Sequence, residues 1–170
     1  MLERTKENLP EFAKDARINL TKVLDLEQSD DLTEQQIIGA ALAVAYYLNN
    51  KSLVADLMEF SQDEKLHEAA KLAASLMAMT NIYYRFVHLS EHAELSQLPA
   101  NLRMQGMMNS LVDRITFEVL SLAVSALNGC GACISAHTRQ LVEHGFSAQK
   151  IARIGRIAAT LHAVHISQTL

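Results

Sequence analysis

The chain has 170 residues, a formal charge of −4 at pH 7 and an apolar content of 49%. That length is sufficient for one domain with a sizeable core, so we predict a single domain spanning residues 1–170. Helix-forming apolar residues dominate over the 6 glycines and 2 prolines, which is typical of packed helices. Because no Lys/Arg cluster accompanies this charge, nucleic acid and anionic membranes are excluded as main partners.

The N-terminus and the two cysteines indicate the cellular compartment. Residues 1–7 are charged and lack the apolar core of a signal peptide, and no apolar run approaches the length of a membrane span. We therefore expect a cytoplasmic protein. In that compartment a pair of cysteines more often cycles between thiol and disulfide than forms a permanent crosslink.

Apolar residues at helical spacing predict that the chain begins with two helices. The first starts near Pro10 and ends at Asp30-Asp31. The second starts at Thr33, where Gln36 three residues later is typical of a capping box. The almost unbroken apolar run over residues 37–48 predicts that this second helix is buried on most of its surface.

A short helix from about Leu53 to Phe60 is expected to precede a longer one. Ser61 and Glu64 have the spacing of a second capping box, which would open that longer helix and carry it at least to Met77. The segment Asn81–Phe86 either continues it or begins another helix. Its aromatic side chains are expected in the core or at a subunit contact, the usual role of aromatic residues.

Two histidines and an irregular region follow. His88 and His92 are one helical turn apart and could bind a metal, although Glu91 and Glu94 are the only co-ligands nearby. A solvated helix face is the interpretation that we favour. Residues 97–109 show no clear periodicity, so we interpret them as a connecting loop that could form a flap over the cysteines.

A chiefly apolar helix is predicted over residues 111–127, and Glu118 is its only charge after Arg114. A carboxyl group in such surroundings is costly to bury unless it is paired, and a buried one is suited to proton transfer. The same periodicity also allows Glu118 to lie on an exposed stripe with Arg114, Ser121 and Ser125. The sequence does not decide between these two interpretations.

Both cysteines lie three residues apart, directly after an Asn-Gly turn signal and at the start of a predicted helix that ends near His144. Residues three or four apart on a helix share a face, so Cys130, Cys133 and His137 can point the same way. The unpaired N–H groups and the dipole at a helix start stabilise the thiolate, which is the reactive form of cysteine. The pattern predicts a redox-active dithiol at a helix N-terminus.

Two other interpretations of the cysteines are weaker. A zinc site needs four ligands, and adding His137 and His144 would place them on one continuous helix that cannot surround a tetrahedral ion. Inert cysteines are common in protein cores, but the glycines on both sides of Cys130 argue against simple packing.

The last predicted helix begins at Ser147, after a stop at Gly145. His162 and His165 lie near its end, where the helix dipole favours histidine. No alternating strand pattern and no internal repeat is found in the sequence. We therefore predict an all-α fold.

The spacing of Glu118, Cys130-x-x-Cys133 and His137 resembles that of the AhpD-like alkylhydroperoxidases of the carboxymuconolactone decarboxylase superfamily. The resemblance extends to residues 10–15 and 79–85 and so covers essentially the whole chain. It implies an all-α helical bundle, usually a homotrimer. One position departs from the pattern, since Ala132 stands where well-studied members carry histidine.

The resemblance also implies a thiol peroxidase. Cys133 would attack an organic hydroperoxide, and Cys130 would resolve the product to a disulfide. His137 and Glu118 match the proton relay. No cofactor would be tightly bound, because a reduced lipoyl group on a partner protein would supply the electrons, and a peroxiredoxin would be a further partner.

Two alternative functions remain open at this point. The first is a disulfide reductase that serves a peroxiredoxin and has little peroxidase activity of its own. The second is a non-catalytic redox sensor whose cysteines change a partner surface.

Overall fold

A computed structural model of the chain describes residues 1–27 and 32–170, and over those residues it contains helices and no strand. The all-α prediction is therefore confirmed. None of the helices in these two ranges combines the length and apolarity needed to cross a lipid bilayer. The α-helices are α1 (Glu3–Glu7), α2 (Lys14–Val23), α3 (Glu34–Tyr47), α4 (Lys51–Met58), α5 (Glu64–Leu89), α6 (Arg114–Asn128), α7 (Gly131–Glu143) and α8 (Ala148–Thr169).

The helix α3 forms the centre of the bundle and packs against α5, α6 and α8. Residues 37–45 of α3 are fully or almost fully buried, as the apolar run predicted. Gly39 allows close packing, because a Cβ atom there would lie 2.8 Å from side-chain carbons of Leu66 on α5 and Leu120 on α6. A small residue at this point thus lets α5 and α6 approach the central helix.

The predicted capping box of α3 is confirmed. The Thr33 hydroxyl accepts the backbone N–H of Gln36, and the Gln36 side chain accepts the backbone N–H of Thr33, both at 3.2 Å. The capping box fixes the start of α3 at Thr33, one turn before the apolar run that begins at Ile37.

The capping box predicted at Ser61 and Glu64 is wrong. The N-cap of α5 is Asp63, whose carboxylate accepts the backbone N–H groups of Lys65 and Leu66, at 3.0 and 3.2 Å. Ser61 instead accepts the N–H of Asp63 at 3.3 Å. A carboxylate at a helix start also interacts favourably with the helix dipole, which explains why aspartate caps the helix here.

The first predicted helix starts where expected. Pro10 precedes a 3-10 helix, Glu11–Ala13, that leads into α2. The helix ends at Val23, and the predicted end at Asp30-Asp31 lies outside the described residues. The buried guanidinium of Arg153 on α8 donates to the carbonyl oxygens of Val23 and Asp25, so α8 satisfies carbonyl groups at the end of α2.

The segment Asn81–Phe86 continues α5, which runs to Leu89. Phe86 is 57% exposed and the two tyrosines near it are half-buried, so Phe86 does not lie in the core of the chain, and the expected subunit contact stays a prediction. The region 97–109 is mainly irregular, as predicted, and contains the 3-10 helix Gln105–Asn109.

The C-terminal helices follow the predicted order. The helix predicted over residues 111–127 is α6, which begins three residues later than expected because Asp113 is its N-cap. The helix α8 begins after Ser147, whose hydroxyl accepts the N–H of Lys150 at 3.3 Å. Between α7 and α8, Gly145 has a positive φ of 81°, as expected of a glycine that ends a helix.

The N-cap Asp113 carries a lowered pKa. Burial is the largest single effect and acts to raise the pKa, but hydrogen bonds from Thr116 and from backbone N–H groups of the first turn together bring it below its usual value. The carboxylate accepts the Thr116 backbone N–H at 2.9 Å.

We expect Asp113→Ala to lower the free energy of unfolding by about 1 kcal/mol at neutral pH, the usual contribution of an N-cap. A lowered pKa stabilises the fold above the unfolded pKa and loses its effect as pH falls, so the difference from wild type should shrink below about pH 4. Asp113→Asn keeps the acceptor without the charge and should show a smaller pH dependence. Urea denaturation across this range tests all three proteins, and an alanine variant as stable as wild type at neutral pH would contradict the capping role.

Candidate active site

The two cysteines follow a chain reversal between α6 and α7. Gly129 ends α6 in the left-handed conformation, with φ 65° and ψ 31°, which a glycine adopts without strain. The next residue, Cys130, donates its backbone N–H to the carbonyl oxygen of Ser125 at 3.3 Å. The reversal directs α7 back along α6, against which it packs.

Cys130 is the N-cap of α7, and its sulfur accepts the backbone N–H of Cys133 at 3.4 Å. The two cysteines are bonded as a disulfide, with Cα atoms 5.3 Å apart. The prediction that the pair lies at a helix N-terminus is therefore confirmed. The bond distinguishes the pair from two free cysteines packed in the core, and its redox activity stays a prediction.

The pair Glu118 and His137 lies between the same two helices. Nδ1 of His137 is 2.6 Å from Oε2 of Glu118, and the two residues are only 7% and 8% exposed, respectively. The interpretation of Glu118 on an exposed stripe is wrong, because Ser121 and Ser125 on the same face are fully buried as well. The bond uses one ring nitrogen of His137 and orients the imidazole.

A cavity of about 380 Å³ adjoins the disulfide and is lined by Cys133 and His137 but not by Cys130. Its wall is largely apolar, with Met77 from α5 and with Met104 and Met107 from the irregular region before α6. The predicted connecting loop thus contributes side chains to the cavity beside the dithiol. Cys133 is 7% exposed and Cys130 is fully buried, so Cys133 is the sulfur that a molecule in this cavity can reach.

A second cavity, of about 340 Å³, is lined by His88, Glu91 and His92. The two histidines are exposed, but they do not share a helix face, because α5 ends at Leu89. In the parts of the chain that the structure describes, no three His, Cys, Asp or Glu side chains are placed to hold a metal ion. Tyr84 and Ala132 line both cavities.

A polar network that the sequence analysis missed holds the turn before Cys130. The Asn128 side chain accepts the Tyr47 hydroxyl at 2.5 Å and donates to Oδ1 of Asn81 at 3.1 Å. Asn81 donates to the Ser125 hydroxyl at 3.0 Å, and Arg85 donates to the backbone carbonyl of Asn128. The central helix α3 and helix α5 therefore fix the end of α6 from two sides.

The chain is similar to known proteins over most of its length. The profile of the carboxymuconolactone decarboxylase family matches residues 93–167. A protein of Coxiella burnetii named alkyl hydroperoxide reductase AhpD is 49% identical over 167 residues, which cover 96% of this chain and 94% of that protein. Proteins with the same name from Rhodospirillum centenum and Bradyrhizobium sp. are each 43% identical, over 96% and 98% of this chain and 88% and 92% of their own lengths.

We expect Tyr47→Phe to loosen the turn that carries Cys130, because it removes one hydrogen bond from the Asn128 side chain. The free energy of unfolding should fall by about 1 kcal/mol. Hydrogen exchange at the amides of residues 128–130 should become faster. Tyr46→Phe is a matched control, since this adjacent tyrosine does not bond to Asn128, and equal exchange in the two variants would contradict the role of the network.

Proposed function

Because this chain belongs to the AhpD family of alkyl hydroperoxide reductases, we propose that it reduces organic hydroperoxides through a Cys130–Cys133 dithiol and disulfide cycle. The observation that carries the proposal is the position of Cys133, which is bonded to Cys130 and shares an apolar cavity with His137. A hydroperoxide in that cavity would meet a sulfur, and an imidazole beside it would move protons.

In the first step the Cys133 thiolate attacks the hydroperoxide. A sulfur–oxygen bond forms, the oxygen–oxygen bond breaks, and the sulfur is oxidised to a sulfenic acid while the peroxide is reduced. The leaving alkoxide takes a proton and departs as the alcohol. We assign that proton to His137, which lines the same cavity.

Glu118 is proposed to hold His137 in position for this transfer. The 2.6 Å bond to Nδ1 fixes the ring and leaves Nε2 for exchange with the reacting atoms. A carboxylate in this buried location also stabilises the imidazole when it is protonated. His137 can then donate a proton and take one up again in each catalytic cycle.

In the second step the Cys130 thiolate attacks the sulfenic sulfur, a disulfide forms, and hydroxide leaves with a proton as water. The backbone N–H of Cys133 and the start of α7 stabilise the Cys130 thiolate. A reduced lipoyl dithiol on a partner protein then returns both cysteines to thiols by exchange and is itself oxidised to its disulfide.

Three further features are proposed from the family resemblance. The protein has a peroxiredoxin as a partner, lies in the cytoplasm and forms a homotrimer. A trimer contact is supported by an apolar stripe on α5, where Ile82, Phe86 and Leu89 are 56%, 57% and 69% exposed at helical spacing. Such a stripe is the kind of surface that a second copy of the chain can cover.

Reduction of a peroxiredoxin disulfide, with little direct peroxidase activity, is the second candidate function. It is favoured by Ala132, an exposed residue beside Cys133 that offers no titratable side chain to a free peroxide. Rates with a free hydroperoxide and with an oxidised peroxiredoxin separate the two candidates. A redox sensor would instead show one oxidation event and no turnover in excess reductant.

We expect Cys133→Ser to abolish both sulfenic acid formation and peroxide consumption. Cys130→Ser should still react once, because Cys133 remains, but the sulfenic acid should persist without forming an intramolecular disulfide. Mass spectrometry after one equivalent of tert-butyl hydroperoxide reports both products. The reverse pattern would assign the attack to Cys130, and turnover at the wild-type rate in Cys133→Ser would rule out the proposed nucleophile.

The loss of proton transfer should be visible in Glu118→Gln and His137→Gln. We expect each to lower kcat/KM for tert-butyl hydroperoxide by about 100-fold, the low end for a general acid or base. The double variant should lose little more than His137→Gln alone, since the two residues act as a unit. His144→Gln, an exposed histidine just after α7, is the matched control. Fully multiplicative losses in the double variant would show that the pair does not act together.

A further inference from the structure

The cavity beside Cys133 adjoins another cavity. It shares two wall residues, Tyr84 and Ala132, with the second cavity near His88. Ala132 contributes only a methyl group to this shared wall and is exposed in the first turn of α7. The two spaces, of about 380 and 340 Å³, are each at the small end of the range for a ligand site.

The walls of the two cavities differ in chemistry. Thioether and methyl groups dominate around Cys133, where Met77, Met104 and Met107 lie. The second cavity combines apolar side chains, such as Val87, with the hydrogen-bonding groups of residues 88, 91, 92 and 96. A molecule that fills both spaces would therefore have an apolar body and a polar end.

A charged residue in the second cavity limits which chemical groups the polar end of the molecule can carry. Glu91 is the only Asp, Glu, Lys or Arg residue among those that line this cavity. A carboxylate brought to this place would be repelled. An uncharged ester, amide or hydroxyl group can instead bond to the imidazoles and to the Ser96 hydroxyl that line the same space.

We propose that the two cavities form one site for a long-chain hydroperoxide with an uncharged polar end, and that the small side chain of Ala132 is what admits it. The inference rests on the proposed peroxide reduction and adds to it the substrate class. The peroxide group lies at Cys133, the chain passes Ala132 and Tyr84, and the polar end lies near His88. A larger side chain at position 132 closes the passage.

The kinetic test compares methyl linoleate hydroperoxide with tert-butyl hydroperoxide, which is small enough for the first cavity alone. Ala132→Leu should lower the ratio of the two kcat/KM values, long over short, by about tenfold or more, in the range that pocket size discriminates. Ser135→Leu is the matched control, because residue 135 is exposed on α7 and lines neither cavity. A ratio that is the same in Ala132→Leu and wild type, or that falls equally in both variants, would overturn the proposal.

The polar end is tested with the free acid of the same hydroperoxide. Wild type should use the acid less efficiently than the methyl ester, and Glu91→Gln should narrow that gap by raising kcat/KM for the acid. Equal efficiency with acid and ester in wild type would overturn the assignment of an uncharged end.

A binding measurement separates this inference from the proposed function. In the disulfide form, 1-decanol serves as a probe that resembles the alcohol product, and amide chemical shifts report where it binds. Shifts at Cys133 and Met107 together with shifts at His88 and His92 support one continuous site. Shifts confined to one cavity overturn it. If wild type fails to turn over tert-butyl hydroperoxide, the proposed function fails, while the binding result still decides whether the cavities act as one.

Discussion

The reversal of the chain at Gly129 is the constraint on which the site depends. Its φ of 65° lies in the left-handed region, and a Cβ there would meet no atom within 4 Å, so the requirement for glycine comes from the backbone and not from crowding. Because α6 ends there, Cys130 falls at the start of the next helix. Because α7 returns along α6, Glu118 and His137 meet across the hairpin.

Contacts from α3 and α5 hold the turn between α6 and α7 in position. Asn128 is held by Tyr47 from the central helix and by Asn81 and Arg85 from α5, so the turn is attached to two other helices of the bundle. Each side chain of the network has a hydrogen-bond partner, which limits the cost of burying its polar atoms. A site built on helices in this way is positioned more exactly than one carried by loops alone.

The sequence was sufficient where the determining pattern is local. The all-α fold, the buried run in α3, its capping box and the dithiol at the start of α7 all depend on residues within a few positions of one another. The sequence left the burial of Glu118 undecided, because helical periodicity shows which residues share a face but not whether another helix packs against that face. In the structure, α7 packs against it. The contacts of Asn128 with Tyr47 and Asn81 join positions 81 and 47 residues apart, which no spacing rule reveals.

The irregular region illustrates the same limit. Residues 97–109 show no helical or strand periodicity, so the sequence suggested a flap over the cysteines but not that Met104 and Met107 would be the side chains lining a cavity with Cys133. Likewise Asp63 and Ser61 are both acceptable N-caps by composition, and only the local backbone decides between them. Such features depend on tertiary contacts and on loop geometry rather than on residue type.

The unequal burial of the two sulfurs has a consequence for any protein that exchanges disulfides with this one. An incoming thiol needs an in-line approach to the sulfur that it attacks. Cys130 is shielded and Cys133 opens to the cavity, so a covalent complex with such a protein would be tethered through residue 133, with Cys130 as the leaving group. The Cys130 thiolate then lies beside the mixed disulfide at Cys133 and can attack it, which releases the bound protein. Complexes would therefore form at Cys133 and be resolved by Cys130.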